Sequence, residues 1–445
     1  MRLAGFAAGL LAMVVSATPS ASAIFDPDTF TLSNGMQVVV ISNDRAPIVT
    51  HMVWYKVGSA DEAPGQSGVA HFLEHLMFKG TKTMAPGEFS RIIADNGGQE
   101  NAFTSSDYTA YYQTIAADRL ETMMRHEADR MVNLVLTDEQ VAPERQVVLE
   151  ERRSRVENQP ASRLREQADA VFWLNHPYGD PVIGWPHEIA ALSTENAIEF
   201  YRTWYAPNNA VLVVAGDVDA DEVRRLAEKY YGVIPARDVP ERVRPLEPEH
   251  IARMTVEMAD ARVTRLSLGR RYLAPSSNAG ETRHAYPLQV LSEILSGGAT
   301  SRLYRKLVVE DGIATSAGAW YDGDGLDLGS FAFHATPKDG VEMEKVETAI
   351  EDEIAKLISD GITEDELARA KQRMLDAAIF ARDSVTGPAR VFGQALATGG
   401  TVDDVENWPE RVEAVTVEQV NEAAKHVLDR PGYLRTILKP AGKAS

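Results

Sequence analysis

Residues 235–248 read PARDVPERVRPLEP, and this stretch determines how the chain divides. Its four prolines are interspersed with charged residues, and few of its side chains could pack into a core. Proline lacks the backbone N–H that a helix or a sheet uses, and it stiffens the chain, so the stretch is typical of a linker. We predict a linker over residues 235–250, between an N-terminal half, residues 24–234, and a C-terminal half, residues 251–445.

The two halves share a local pattern. TDEQVAPER at residues 137–145 is similar to TEDELARAK at residues 363–371. Each begins with a threonine N-cap, carries acids in the next turn, and follows a predicted amphipathic helix. The pattern predicts an α+β fold of two homologous halves, each an antiparallel-rich sheet with helices packed on one face. The alternative is that two unrelated α+β domains share such a pattern.

Composition excludes several classes of protein. The chain has 445 residues, of which 44% are hydrophobic and 25% charged, so it can bury substantial cores. It has no cysteine, which excludes a thiol nucleophile, thiolate metal ligands and disulfides. The 65 acidic residues exceed the 45 basic ones, and the net charge of −20 opposes binding to nucleic acid and to anionic lipids.

The first 23 residues have the layout of a secretory signal. Arg2 precedes an apolar stretch, and the segment ends in the small residues Ala21-Ser22-Ala23. We expect cleavage after Ala23 and export to the periplasm or the medium; the alternative is a retained N-terminal anchor. No later run of 18 apolar residues occurs, so we expect the mature protein to be soluble and to have no membrane contact.

The chemistry is carried by His71-Phe72-Leu73-Glu74-His75. On a helix, residues four apart lie on one face, so both imidazoles can bind one cation, and neutral imidazoles suit Zn²⁺. Glu74 lies close enough to take a proton from a water activated by the metal. A histidine alone would more often be an ordinary core or surface residue. A catalytic zinc needs a third protein ligand, which we expect to be an acid elsewhere in the chain.

This H-x-x-E-H pattern and the segment ERQVVLEE, residues 144–151, resemble the pitrilysin/insulinase (inverzincin) family of zinc metallopeptidases. The resemblance covers nearly the whole mature chain and is strongest to the branch related to mitochondrial processing peptidase. Glu151 stands 76 residues after His75, which is the family's spacing for the third ligand. The resemblance implies a zinc-bearing subunit in which the metal ligands are His71, His75 and Glu151.

The same resemblance implies roles for two further acids. Glu74 is the general base, and Glu144, two helical turns before Glu151, is the acid that orients the site. Glu150 points about 100° away from Glu151 around the helix, so we expect it to be solvated. The ligand set would also accept Mn²⁺ or Co²⁺.

A second matching element is Asn101-Ala102-Phe103, followed by Thr104. In relatives this edge strand pairs with the peptide substrate, a mode of binding that uses mainly backbone groups. The resemblance therefore implies that Asn101, Ala102 and Phe103 bind substrate. The alternative is an ordinary strand with aromatic packing, which would explain Phe103 equally well.

One family feature is missing. The family's active site also uses an Arg and a Tyr, seven residues apart, on a second-half helix that corresponds here to residues 301–315. Those two positions are Val308 and Thr315, and Ala377 stands where the second half would carry the counterpart of Glu151. The resemblance implies a heterodimer with a homologous subunit that supplies the Arg/Tyr pair; the alternative is a homodimer that uses other donors.

Together these observations predict a zinc-dependent endopeptidase subunit that hydrolyses peptides or short unfolded segments in an enclosed chamber. The first alternative is a non-catalytic structural or peptide-binding member of the same family. The second is a metal-storage or sensor module, which would not need Glu74 as a base.

Overall fold

Two β-sheets, one in each half, organise the structure. The computed structural model describes residues 24–381, 384 and 386–441. The predicted signal segment, residues 1–23, lies outside the described residues. Among the described residues, no helix is both long and apolar enough to cross a membrane.

The first sheet has the strand order β1-β2-β6-β3-β5-β4 and is antiparallel except where β2 pairs with β6. Its strands are β1 (Asp28–Thr31), β2 (Gln37–Ser42), β3 (Ile48–Tyr55), β4 (Gln99–Thr104), β5 (Thr109–Ala116) and β6 (Ala210–Gly216). The central strands β3 and β6 are apolar and buried, whereas β4 is an edge strand.

The second sheet has the order β7-β11-β8-β10-β9, with one parallel pair between β11 and β7. Its strands are β7 (Met254–Asp260), β8 (Ser267–Ala274), β9 (Ala314–Asp322), β10 (Gly329–Pro337) and β11 (Leu434–Pro440). The prediction of two α+β halves with antiparallel-rich sheets is confirmed.

Helices connect and cover the strands. The first half contains α1 (Val69–Leu76), α2 (Glu88–Asp95), α3 (Leu120–Asn133), α4 (Asp138–Arg152), α5 (Pro160–Phe172), α6 (Pro186–Ala191), α7 (Thr194–Trp204) and α8 (Ala220–Tyr230). The second half contains α9 (Ala285–Ser296), α10 (Met343–Asp360), α11 (Glu364–Ala381), α12 (Gly387–Ala397), α13 (Val402–Glu406), α14 (Trp408–Ala414) and α15 (Val417–Leu428). In the described part of the chain, π-helical turns lie at Arg153–Glu157 and Tyr304–Glu310. Short 3₁₀ turns lie at Ser59–Asp61, Ala117–Arg119, Pro177–Gly179, Pro207–Asn209 and Thr282–His284.

Each sheet is also covered by a helix from the other half. Helix α12 packs Phe392 and Ala389 against the outer face of the first sheet, where Trp54 is buried. Helix α5 packs Phe172 against the second sheet beside Leu434. Because apolar side chains on both faces of a sheet must be removed from water, this exchange of helices binds the halves together. The sequence pattern predicts helices on one face and does not reveal the exchange.

The linker is irregular and forms ion pairs with both halves. Residues 235–250 contain neither helix nor strand. Arg242 pairs with Asp61 of the first half at 2.7 Å, and Arg244 pairs with Asp327 of the second half at 2.6 Å. Since the linker bonds to both halves, we expect it to limit their relative motion.

Candidate metal and catalytic site

Helix α1 presents the H-x-x-E-H residues from a rigid base. Its apolar residues Phe72, Leu73 and Leu76 are fully buried in the first-half core, which fixes the helix against the sheet. Its N-terminus is capped by Glu62, whose carboxylate accepts the N–H groups of Gly68 and Ala70, both at 2.8 Å. Free N–H groups at a helix start attract a carboxylate, so this cap stabilises the beginning of α1.

A close approach of two backbones supports the same helix start. Gly68 and Gly184 both have positive φ, 87° and 89°. A Cβ on Gly68 would lie 2.6 Å from the carbonyl oxygen of Ile183, and one on Gly184 would lie 2.4 Å from that of Ser67. Only glycine fits both the backbone conformation and the space, so these two residues let the loop before α6 pack against α1.

The structure brings the three predicted metal ligands together. One ligand atom each from His71, His75 and Glu151 lies within 4.8 Å of the other two. The Nε2 atoms of His71 and His75 lie 3.8 Å and 3.2 Å from Oε2 of Glu151, which α4 supplies. Two imidazole nitrogens and one carboxylate oxygen form a donor set that suits Zn²⁺ and leaves a position for a further ligand.

The two imidazoles have opposite pKa shifts in the metal-free protein. Burial, together with the charge on His75, lowers the pKa of His71 to about 4. Burial also opposes the charged form of His75, but its hydrogen bonds to Glu144 and Glu151 outweigh burial and raise its pKa to about 9. A metal ion that binds at this site would therefore compete with a proton for His75.

Glu144 lies where the resemblance implies an orienting acid. Its Oε1 is 2.8 Å from Nδ1 of His75, and its other oxygen pairs with Lys79. The hydrogen bond from His75, with the Lys79 pair, lowers the pKa of Glu144. By accepting the Nδ1 proton, Glu144 fixes the tautomer in which Nε2 of His75 is free to bind metal.

Replacing Glu144 with glutamine is expected to weaken zinc binding about 10- to 100-fold, because the amide accepts the His75 proton without the charge of a carboxylate. The affinity is measured by competition with a chromogenic chelator. The matched control is Glu150→Gln on the same helix, since Glu150 is exposed and pairs with Arg153. Equal zinc affinity in Glu144→Gln and the wild type would exclude the orienting role.

The carboxylate of Glu74 is almost fully buried beside the ligands. Burial raises its pKa, and a hydrogen bond donated by the hydroxyl of Thr104 opposes this shift. The sequence did not predict three residues that contact the site. Glu62 caps the start of α1, and Thr104 donates a hydrogen bond to Glu74. The guanidinium of Arg155 lies 2.7 Å from Oε1 of Glu151. They come from distant segments or from a π-helical turn that no local pattern indicates.

The predicted substrate-binding residues lie on β4, the outermost strand of the first sheet. The backbone N–H of Ala102 donates to Oδ1 of its neighbour Asn101 at 2.9 Å. Phe103 packs against Trp54 at a ring-centroid distance of 5.2 Å, and the guanidinium of Arg390 on α12 lies 4.8 Å from its ring. The edge of β4 can therefore take another strand, while Phe103 also has a packing role.

Val308 and Thr315, which stand where the family has its Arg/Tyr pair, do not lie on one helix. Val308 lies in the π-helical turn Tyr304–Glu310, but Thr315 lies on β9. The expectation of a helix over residues 301–315 is wrong, because Gly312, with φ 61°, follows the end of that turn and the sheet begins at Ala314. Neither side chain offers the donors of an Arg/Tyr pair.

A second group of possible ligands occurs in the second half. Glu281, His284 and His426 also lie within 4.8 Å of one another. The ring nitrogens of the two histidines are 3.3 Å from Arg283 and 3.2 Å from Arg430. Two guanidinium groups repel a cation, so the first-half group is the better metal site.

Two related family models match successive parts of the chain. Residues 37–185 match the family described as Insulinase (Peptidase family M16), and residues 191–374 match the one described as Peptidase M16 inactive domain. An uncharacterized zinc protease of Mycobacterium tuberculosis is 30% identical over 430 residues, 95% of each chain. The zinc protease PqqE of Helicobacter pylori is 32% identical over 377 residues, 83% of each chain.

Solved structures of bacterial proteases have a similar fold. A protease from Helicobacter pylori matches with a TM-score of 0.86 and 28% identity, covering 93% of this chain and 99% of that one. The periplasmic protease PqqL from Escherichia coli matches with a TM-score of 0.79 and 20% identity. That match covers 93% of this chain and only 48% of PqqL, so the fold of this chain corresponds to about half of that longer protein.

Proposed function

Because this chain belongs to the insulinase family, peptidase family M16, we propose that it is a zinc-dependent endopeptidase. The observation that carries the proposal is the convergence of His71, His75 and Glu151 beside the buried carboxylate of Glu74. Relatives over most of the chain are named zinc proteases. A non-catalytic role would leave the buried acid and both histidines without a purpose.

Different residues of the site would bind the metal and transfer the proton. His71, His75 and Glu151 would hold Zn²⁺, which when bound supplies an activated water and a Lewis acid for the peptide carbonyl. Glu74 would take a proton from the water as its oxygen bonds to the carbonyl carbon. It would then deliver that proton to the amine nitrogen as the C–N bond breaks. Glu144 keeps His75 in the metal-binding tautomer.

The edge strand would hold the substrate. A peptide that extends the first sheet along β4 binds through backbone groups, which suits peptides of varied sequence and short unfolded segments. Asn101 and Ala102 lie at this edge, and Asn101 would release the Ala102 N–H to the peptide. Phe103 contributes its ring to the side of the strand that α12 covers.

A second chain would complete the chamber. This chain corresponds to about half of PqqL in fold, and it lacks an Arg/Tyr pair at Val308 and Thr315. We propose a heterodimer whose homologous partner supplies that pair; a homodimer with other donors is the alternative. We propose that the enzyme acts outside the cytoplasm, because residues 1–23 have the layout of a secretory signal and PqqL is described as periplasmic.

The test uses the mature chain, purified without added metal. Elemental analysis is expected to give about one zinc per chain, and a mixture of quenched fluorescent peptides reports cleavage. A chelator should abolish cleavage and added Zn²⁺ should restore it. Absence of bound zinc, or cleavage that persists in the chelator, would exclude a zinc peptidase.

The same assay decides the partner question. The chain alone is expected to cleave slowly, and addition of a homologous chain with the Arg/Tyr pair should raise kcat/KM at least about 10-fold, as expected for contacts that position substrate. Full activity of the chain alone, with a homodimer in light scattering, would favour the alternative.

A further inference from the structure

The hydroxyl of Thr104 links the edge strand to the catalytic carboxylate. It donates a hydrogen bond to Oε2 of Glu74, across a sequence separation of 30 residues. Among the described residues, no other group forms a hydrogen bond with the Glu74 side chain. Oε1 of Glu74 is left for the proton transfer, while Thr104 holds the other oxygen.

The backbone of Thr104 faces the open edge of the sheet. Strands β4 and β5 pair antiparallel, with Thr104 opposite Thr109 and Asn101 opposite Tyr112. In such a pair, alternate residues direct their N–H and C=O groups to the neighbouring strand and away from it. The Ser105 N–H bonds to Tyr108, and the Ala102 N–H bonds to the Asn101 side chain rather than to β5. Glu100, Ala102 and Thr104 are therefore the β4 residues whose backbone groups face the open edge.

Thr104 therefore contacts both sides of the site. Its backbone faces the edge where a peptide strand would add, and its hydroxyl donates a hydrogen bond to Glu74, the proposed general base. We propose that Thr104 is a positioning residue that sets Glu74 relative to a peptide bound along β4. This inference rests on the proposed function. It explains how a flexible glutamate side chain keeps a fixed distance from the scissile bond, because peptide and base are held by the same residue.

The physical consequence lies in the catalytic step and not in peptide affinity. A hydrogen bond to one oxygen of a carboxylate restricts the rotation of that carboxylate and holds it in one orientation. Loss of the hydroxyl would free the carboxylate to rotate, and small displacements of a catalytic group lower rates strongly. The backbone groups that bind the peptide would be unchanged.

Three variants separate positioning from a merely structural contact. Thr104→Val removes the hydroxyl with little change of shape and suits a strand, whereas Thr104→Ser retains the hydroxyl. Thr114→Val is the matched control, because Thr114 lies on β5 and its hydroxyl bonds to Thr50 at 3.0 Å, away from Glu74. Thr104→Val should lower kcat about 10- to 100-fold, with KM within about twofold of the wild type. Thr104→Ser should stay within about threefold in kcat, and Thr114→Val should match the wild type.

Crystal structures of the zinc-loaded variants give a readout that does not need activity. The Glu74 carboxylate should rotate away from its wild-type position in Thr104→Val and keep that position in Thr104→Ser. A wild-type kcat in Thr104→Val, or an unmoved carboxylate, would overturn the inference. If the wild-type chain cleaves no peptide either alone or with its homologous partner, the proposed function is wrong, and the crystal structures still decide whether Thr104 positions Glu74.

Discussion

Replacing Glu74 with glutamine is expected to lower kcat for peptide hydrolysis about 10³-fold. Glutamine has the shape of glutamate and can still accept the hydrogen bond from Thr104, but it cannot take a proton. The buried position of Glu74 leaves no room for solvent to replace it easily. Because His71, His75 and Glu151 are unchanged, about one zinc per chain should remain bound.

Two measurements on one preparation check this expectation: kcat with a fluorescent peptide, and zinc content by elemental analysis. Glu150→Gln is the control, since it makes the same chemical change at an exposed position with its side chain 69% accessible. Retention of more than about a tenth of the wild-type kcat would mean that another group acts as the base. If the protein were a metal-storage or sensor module, both the wild type and Glu74→Gln would bind zinc, and neither would cleave peptide.

The second large effect is expected for Glu151→Gln, which should weaken zinc binding about 10³-fold and abolish cleavage at ordinary zinc concentrations. The carboxylate is one of three ligands, and its Oε2 lies within 4 Å of both imidazole Nε2 atoms. A neutral amide offers the metal a weaker oxygen and no charge to balance the ion.

Glu150→Gln is again the comparison, because residues 150 and 151 are adjacent on α4 and differ mainly in the direction they face. Zinc affinity is measured by chelator competition, and the zinc-induced rise in melting temperature gives an independent estimate. If Glu151→Gln bound zinc like the wild type, or if Glu150→Gln lost it, the ligand set would have to be revised.

Much of the site could be predicted because its geometry is local. His71 and His75 are one helical turn apart, so any helix over these residues places both rings on one face. The phase of α4 likewise separates Glu151, which faces the histidines, from Glu150, which pairs with Arg153 at the surface. The distance between the two helices is not local, and the choice of Glu151 depended on a family spacing.

The failures have physical causes of the same kind. The segment 301–315 has an apolar, charged pattern that fits a helix, but Gly312 and the start of β9 end the helix early. The proline pattern predicts the linker but does not reveal that Arg242 pairs with Asp61 and Arg244 with Asp327. Ion pairs between distant segments leave no periodic signal in the sequence.

By itself the sequence determined the two-half organisation, the sheet-and-helix composition, and a pair of histidines with a glutamate on one helix face. These follow from the spacing of residues along single elements, which the geometry of the backbone fixes. Only the tertiary structure decided that Oε2 of Glu151 lies close to both imidazole rings and that Thr104 hydrogen-bonds to Glu74. It also decided that α5 and α12 each cover the sheet of the other half. Such contacts depend on how whole elements pack to remove apolar surface from water, and no short stretch of sequence contains that information.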